Sequence, residues 1–113
     1  MYKTALVSAD IEDGRRVVQA FEKAGLRITA AFWFQHEDEE DWNLVIVSPD
    51  VATKGSTRVY KELFAPLHNL QTEVAPATLA VWWERIQVTS PASLIYQMVK
   101  QHSGLSPYIY KIT

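Results

Sequence analysis

The segment Arg27-Ile28-Thr29-Ala30-Ala31-Phe32-Trp33-Phe34-Gln35-His36, then Glu37-Asp38-Glu39-Glu40-Asp41, then Trp42-Asn43-Leu44-Val45-Ile46-Val47-Ser48-Pro49-Asp50, decides how the chain is read. Two runs rich in β-branched and aromatic residues flank five consecutive acids, the pattern of a β-hairpin with a solvated tip. Period two places Ile28, Ala30, Phe32 and Phe34 on one face of the first strand, with Thr29, Ala31, Trp33 and Gln35 on the other. The second strand sets Trp42, Leu44 and Ile46 against Asn43, Val45 and Val47. Both of its faces are largely apolar, which predicts an interior strand covered on both sides for part of its length. Pro49 is read as the terminator of that strand.

Outward from the hairpin, the pattern becomes helical on both sides. From Asp10 to Ala24, residues Ile11, Val17, Val18, Ala20, Phe21 and Ala24 fall on one side of a helix and charged residues on the other. Asp10 is the expected N-cap and Gly25 the closing residue. Gly14 costs such a helix about 1 kcal/mol relative to alanine, which a close packing partner would explain. The preceding Thr4 to Ser8 reads as a short strand or an ordered arm. After the hairpin, Gly55 to Leu70 predicts a helix with Val59, Tyr60, Leu63, Phe64, Leu67 and Leu70 as its buried stripe and a kink or restart at Pro66. Gln71 to Thr78 is a connection, and Leu79 to Thr89 holds a strand around Ile86-Gln87-Val88. Ser90-Pro91 reads as N-cap and first turn of a third helix, with Leu94, Ile95, Met98, Val99 and His102 on its inner face. Tyr108 to Ile112 is the last strand, both tyrosines on one face.

The expectation is therefore one α/β (α+β) domain over residues 1–113, with a mixed sheet of about four strands, hairpin first, and three helices. The 113 residues, 48% hydrophobic and 21% charged, fit an ordinary globular domain that holds a core without metal or cross-link. With no cysteine, disulfide frameworks, thiolate zinc sites and thiol nucleophiles are excluded together. No apolar run reaches the roughly 18 residues of a membrane span, and Met1 to Thr4 leads into no signal-peptide stretch, so a cytoplasmic protein without membrane contact is expected. Five of the thirteen acids sit in the hairpin tip, so the rest of the chain carries eleven bases against eight acids. That balance leaves room for a modest anion-binding face but does not indicate a nucleic-acid binder.

Read together, Asp10-Ile11-x-x-Gly14-Arg15-Arg16, Ala31-Phe32-Trp33, Trp42-x-Leu44-Val45-Ile46-x-Ser48-Pro49, Ser90-Pro91 and Tyr108-Ile109-Tyr110-Lys111 resemble a group of small bacterial proteins with no assigned function. The resemblance spans almost the whole chain and implies a bacterial or bacteriophage cytosolic setting and a domain that stands alone. It brings no catalytic or binding residues to carry over.

Catalytic constellations fail on spacing. Five adjacent acids point in different directions, unlike the alternating ligands of a calcium loop. Ser48-Pro49-Asp50 invites comparison with restriction-endonuclease-like nucleases, but no Glu/Asp-x-Lys follows on a strand. His36, His68 and His102 make no metal-ligand spacing. Thr53-Lys54-Gly55-Ser56-Thr57 lacks the glycine pair and order of a phosphate loop, and no serine sits in a nucleophile elbow. Hence no catalytic residue, no metal and no cofactor is expected.

Cations and aromatic rings remain. Lys54, Arg58 and Lys61 share a helical face, and Arg15-Arg16 makes a second cationic point. Of four Trp, five Tyr and four Phe, the rings of Trp33, Trp82, Trp83, Tyr108 and Tyr110 exceed what a core of this size can bury, which predicts an exposed aromatic patch. The expected function is a non-enzymatic binding module with Arg15, Arg16, Trp33, Lys54, Arg58, Tyr108 and Tyr110 as ligand-binding residues. Its expected occupants are a second copy of the chain or another protein partner, or a nucleotide-like anion stacked on a ring. The alternative is a small metal-independent ribonuclease or toxin-like enzyme.

Overall fold

The computed structural model describes residues 5–113. Thr4, where the expected strand or arm begins, lies outside the described residues, and Ala5 to Val7 pass into a helix with no strand. Helix α1 is Ser8–Lys23, and strands β1 (Ala30–Phe34) and β2 (Asn43–Val47) form the hairpin. Two helices follow, α2 (Pro49–Lys54) and α3 (Ser56–Val74), then β3 (Ile86–Thr89), α4 (Leu94–Gln101) and β4 (Ile109–Ile112). Single 3-10 turns at Trp83–Arg85 and Ser103–Leu105 lead into β3 and out of α4.

The four strands make one mixed sheet in the order β3-β2-β1-β4. β1 is antiparallel to both β2 and β4, and β2 is parallel to β3. Register follows the predicted period: Phe32 stands opposite Val45 and Trp33 opposite Leu44. Because side chains alternate, the two faces collect different residues. Ala31, Trp33, Leu44, Ile46, Ile86 and Val88 pack with Val17, Val18 and Phe21 of α1 and Val59, Leu63, Leu67 and Leu70 of α3. Ala30, Phe32, Val45 and Val47 pack on the other side against Tyr96 and Val99 of α4. The expected interior position of β2 and the mixed α+β sheet are both present.

Several details differ from expectation. α1 begins two residues early, with Val7 as N-cap and Asp10, the expected cap, in the first turn accepting the Val7 N–H at 3.5 Å. Ile28, expected beside Ala30 and Phe32, precedes β1 and packs instead with Ala31 and Trp33, because the alternation holds only within the strand. There are four helices, because Ser48 and Pro49 start α2 as well as ending β2: the Asp50 N–H donates to Ser48 Oγ at 3.1 Å, a side-chain cap with proline in the first turn. Gly55, at φ 85°, then separates α2 from α3 in a backbone region that side chains disfavour. α3 continues through Pro66 to Val74. Its buried residues lie on both sides of the proline and face one core, and that packing outweighs the lost hydrogen bond. Ser90-Pro91 instead forms a turn in which the Ser93 N–H donates to Ser90 O, and Ser93 caps α4 by accepting from the Tyr96 N–H. α4 consequently buries Tyr96 and Val99 and leaves Leu94 and Met98 exposed.

Candidate functional site: an aromatic ledge on α3

In α3 the residues immediately after the buried Val59, Leu63 and Leu67 are Tyr60, Phe64 and His68. One residue turns about 100° around a helix, so these three form a second stripe on the shoulder of the buried one. Trp82 and Trp83, carried in by the segment that leads to β3, lie against that stripe. The Phe64 and Trp83 rings are parallel, 9° apart with centroids at 6.2 Å. His68 lies 4.2 Å from Phe64 and meets Trp82 edge-on at 5.3 Å, and Trp82 meets Trp83 at 6.4 Å. Tyr60 closes the other end, its ring 6.2 Å from Trp83 and its hydroxyl accepting the Val88 N–H at 2.9 Å. That bond ties the ledge to the edge strand of the sheet.

A shallow groove of about 490 Å³ runs along the ledge, lined by Tyr60, Lys61, Phe64, Trp83 and Ile86. Phe64 is 55% exposed although it is among the largest apolar side chains of the chain. Trp83 Nε1 is buried with no hydrogen-bond partner, the single buried side-chain nitrogen or oxygen in that condition among the described residues. Indole N–H groups normally find an acceptor when buried, so this unmatched one, enclosed beneath the ledge, is a departure from the usual pattern.

The residues singled out by sequence fall in three places. Trp33 is fully buried, so it presents no ring to a ligand. Its Nε1–H donates to Tyr110 Oη at 2.8 Å, the Tyr110 hydroxyl donates to Ile11 O, and the Arg85 guanidinium lies 5.0 Å above the ring. Arg85 also holds Asp10 through two nitrogens, at 2.8 and 3.3 Å. These contacts pin α1 to the sheet and to the segment before β3, which makes Trp33 a structural residue. Arg15 approaches Tyr108 and Tyr110, whose rings are 4.7 Å apart, while its guanidinium binds Glu12. Burial raises the Tyr110 phenol, and although the Trp33 hydrogen bond acts against this, its pKa is pushed up to about 12. Arg16 pairs with Asp13 at 3.0 Å.

Lys54 and Arg58 stand apart from that group. Clefts between α1 and α3 bring Arg16 beside Val74 and Ala24 beside Pro66, so the helices run antiparallel and the start of α3 lies toward the far end of α1 from Arg15. Lys54 and Arg58 share Glu62, at 3.1 and 3.5 Å. With Gly55, Ser56, Thr57 and Lys61 they line a basin of about 560 Å³ at the start of α3. The expected site is thus divided between two ends of the molecule. Tyr60 and Phe64, expected in the buried stripe, are instead ledge residues. His68 was not among the expected binding residues either, and the signal for all three was the i, i+4, i+8 repeat of rings one position after the apolar stripe.

The three histidines lie in three different settings: His36 faces Gln87 at 3.3 Å, His68 belongs to the ledge, and His102 caps α4. Among the described residues no helix is long and apolar enough to cross a membrane. No known protein family, curated protein or solved structure matches the chain.

Proposed function

We propose that the protein is a non-enzymatic binding module, and that its working surface is the aromatic ledge of Tyr60, Phe64, His68, Trp82 and Trp83, set in the bacterial or bacteriophage cytosol that the motif resemblance implies. The observation that carries this reading is the parallel pair Phe64 and Trp83 over an apolar groove, with Phe64 more than half exposed. Folding alone favours covering such a ring, at about 25 cal/mol per Å² of apolar surface removed from water. A cluster of rings left open at one place, with a cation beside it, is the composition of a binding hot spot. The ledge is also rigid, because Tyr60 is tied to β3 and the tryptophans are wedged against one another. A rigid surface loses little conformational freedom when it is covered.

Native mass spectrometry of the protein purified from cell extract tests this. The expected result is a retained mass that Phe64→Ser removes without changing the circular dichroism spectrum. A protein that retains nothing, and whose 60–68 and 82–86 amides exchange hydrogen equally fast with and without extract, would refute the reading. Degradation of RNA in EDTA, abolished by His68→Ala, would replace it with the ribonuclease alternative.

A further inference from the structure

We infer that the ledge takes a planar ring carrying an anionic group, the chemistry of a mononucleotide, with the ring over Phe64 and Trp83 and the phosphate at Lys61. This rests on the ledge being the binding surface and adds the class of ligand. Lys61 lines both the apolar groove and the polar basin at the start of α3 and so joins them. Lys61 makes no ion pair among the described residues, whereas Lys54 and Arg58 are already engaged by Glu62. A cation without a carboxylate partner at the mouth of an aromatic groove is the charge complement of an anion attached to a ring.

Spacing supports the same occupant. Lys61 precedes Phe64 by three residues, about 4.5 Å along the helix, and Thr57 lies one turn further back. Gly55 to Arg58, at the start of α3, line the basin shared with Lys61, and no side chain caps the helix there. Stacking on exposed rings tolerates any base, so the site is expected to read the presence of a base and a phosphate and not the base identity.

Titrations of the full chain followed by amide and indole NMR shifts test the inference, with adenosine 5′-monophosphate, adenosine and inorganic phosphate as probes. The monophosphate is expected to shift Ser56 to Phe64 and the Trp83 indole, and to bind at least about tenfold more tightly than adenosine or phosphate alone, the scale of one charge-assisted contact. Lys61→Gln, an exposed position, should bring the monophosphate down to the affinity of adenosine, and Phe64→Ala should remove both. Equal affinity for the monophosphate and adenosine, or no effect of Lys61→Gln, overturns the anionic ligand while leaving the ledge as a binding surface. No shifts at all overturn the ligand class, and the retained-mass experiment then judges the ledge separately. A doubled mass in light scattering that Phe64→Ser reverses would overturn it in favour of a second copy of the chain.

Discussion

The hydroxyl of Tyr110 occupies the space that a side chain on Gly14 would fill. A β-carbon built on Gly14 would collide with Tyr110 Oη and come within 3.0 Å of Trp33 Cζ2 and 3.1 Å of its Nε1. The hydroxyl cannot retreat freely, because it accepts from Trp33 Nε1 and donates to Ile11 O. Gly14 is therefore the price α1 pays for lying directly on the Trp33-Tyr110 pair, and the helix penalty noted in the sequence has its packing partner.

Gly14→Ala is accordingly expected to destabilise the protein by about 1–3 kcal/mol, against the stabilisation of about 1 kcal/mol that helix propensity alone would give. Thermal melts of both variants and their combination with Tyr110→Phe check it. Without the hydroxyl the alanine should cost markedly less, and an equal cost in both backgrounds would contradict the contact.

Tyr110 sets an alkaline limit. Its phenol is raised to about 12 in the fold, above the ordinary value near 10, so the neutral form is favoured by folding. The contribution is complete below about pH 10 and fades as pH rises through about 12. Denaturation midpoints across that window should fall more steeply for the natural chain than for Tyr110→Phe. A phenolate absorbance titration should show one tyrosine ionising late.

Arg85 is expected to resist replacement even by lysine. Its planar fork meets the Asp10 carboxylate, the carbonyls of Ala80 at 3.0 Å and Trp42 at 3.3 Å, and the face of Trp33. A lysine keeps the charge and loses the geometry. Arg85→Lys should cost about 2–4 kcal/mol, and Arg85→Met a similar or larger amount by leaving Asp10 buried and unpaired. The pair Asp10→Leu with Arg85→Met should be less harmful than Arg85→Met alone, which chemical denaturation can measure.

Asp50 governs the acid side. Burial pushes its carboxyl up, but the Arg27 backbone and guanidinium hydrogen bonds, with the charges of Arg27 and Lys54, outweigh that and hold it below the ordinary value. A depressed carboxyl stabilises the fold above its unfolded pKa, near 3.9, and loses that contribution as pH falls through the lower folded value. Asp50→Asn should therefore flatten the loss of stability below about pH 4. An unchanged acid limb would show that other carboxylates carry it.

Part of the fold is legible in the amino-acid order alone. Alternation in Ala30 to Phe34 and Asn43 to Val47 assigned every residue of the hairpin to its face, because period two leaves no other arrangement once both faces are apolar. The two Ser-Pro pairs, by contrast, carry no local signal that separates their conformations. At Ser48-Pro49 the pair caps a helix and at Ser90-Pro91 it makes a turn, and both conformations share the proline's φ. What separates them is distant: Asp50, in the first turn of α2, is gripped by Arg27 across the sheet end.

The amino-acid order by itself determined the four strands, the faces of the hairpin and the buried positions Val17, Val18 and Phe21 of α1 and Val59, Leu63, Leu67 and Leu70 of α3, since each follows from neighbours along the chain and the fixed geometry of the backbone. Only the tertiary structure decided which rings were surplus. Trp33 was sealed under Arg85 and Tyr110 while Phe64, one position from a buried leucine, was left at the surface. Exposure at a helix shoulder depends on what the next element covers, and here the segment ahead of β3 brought Trp82 and Trp83 alongside without closing over them. That arrangement rests on contacts between residues far apart in sequence.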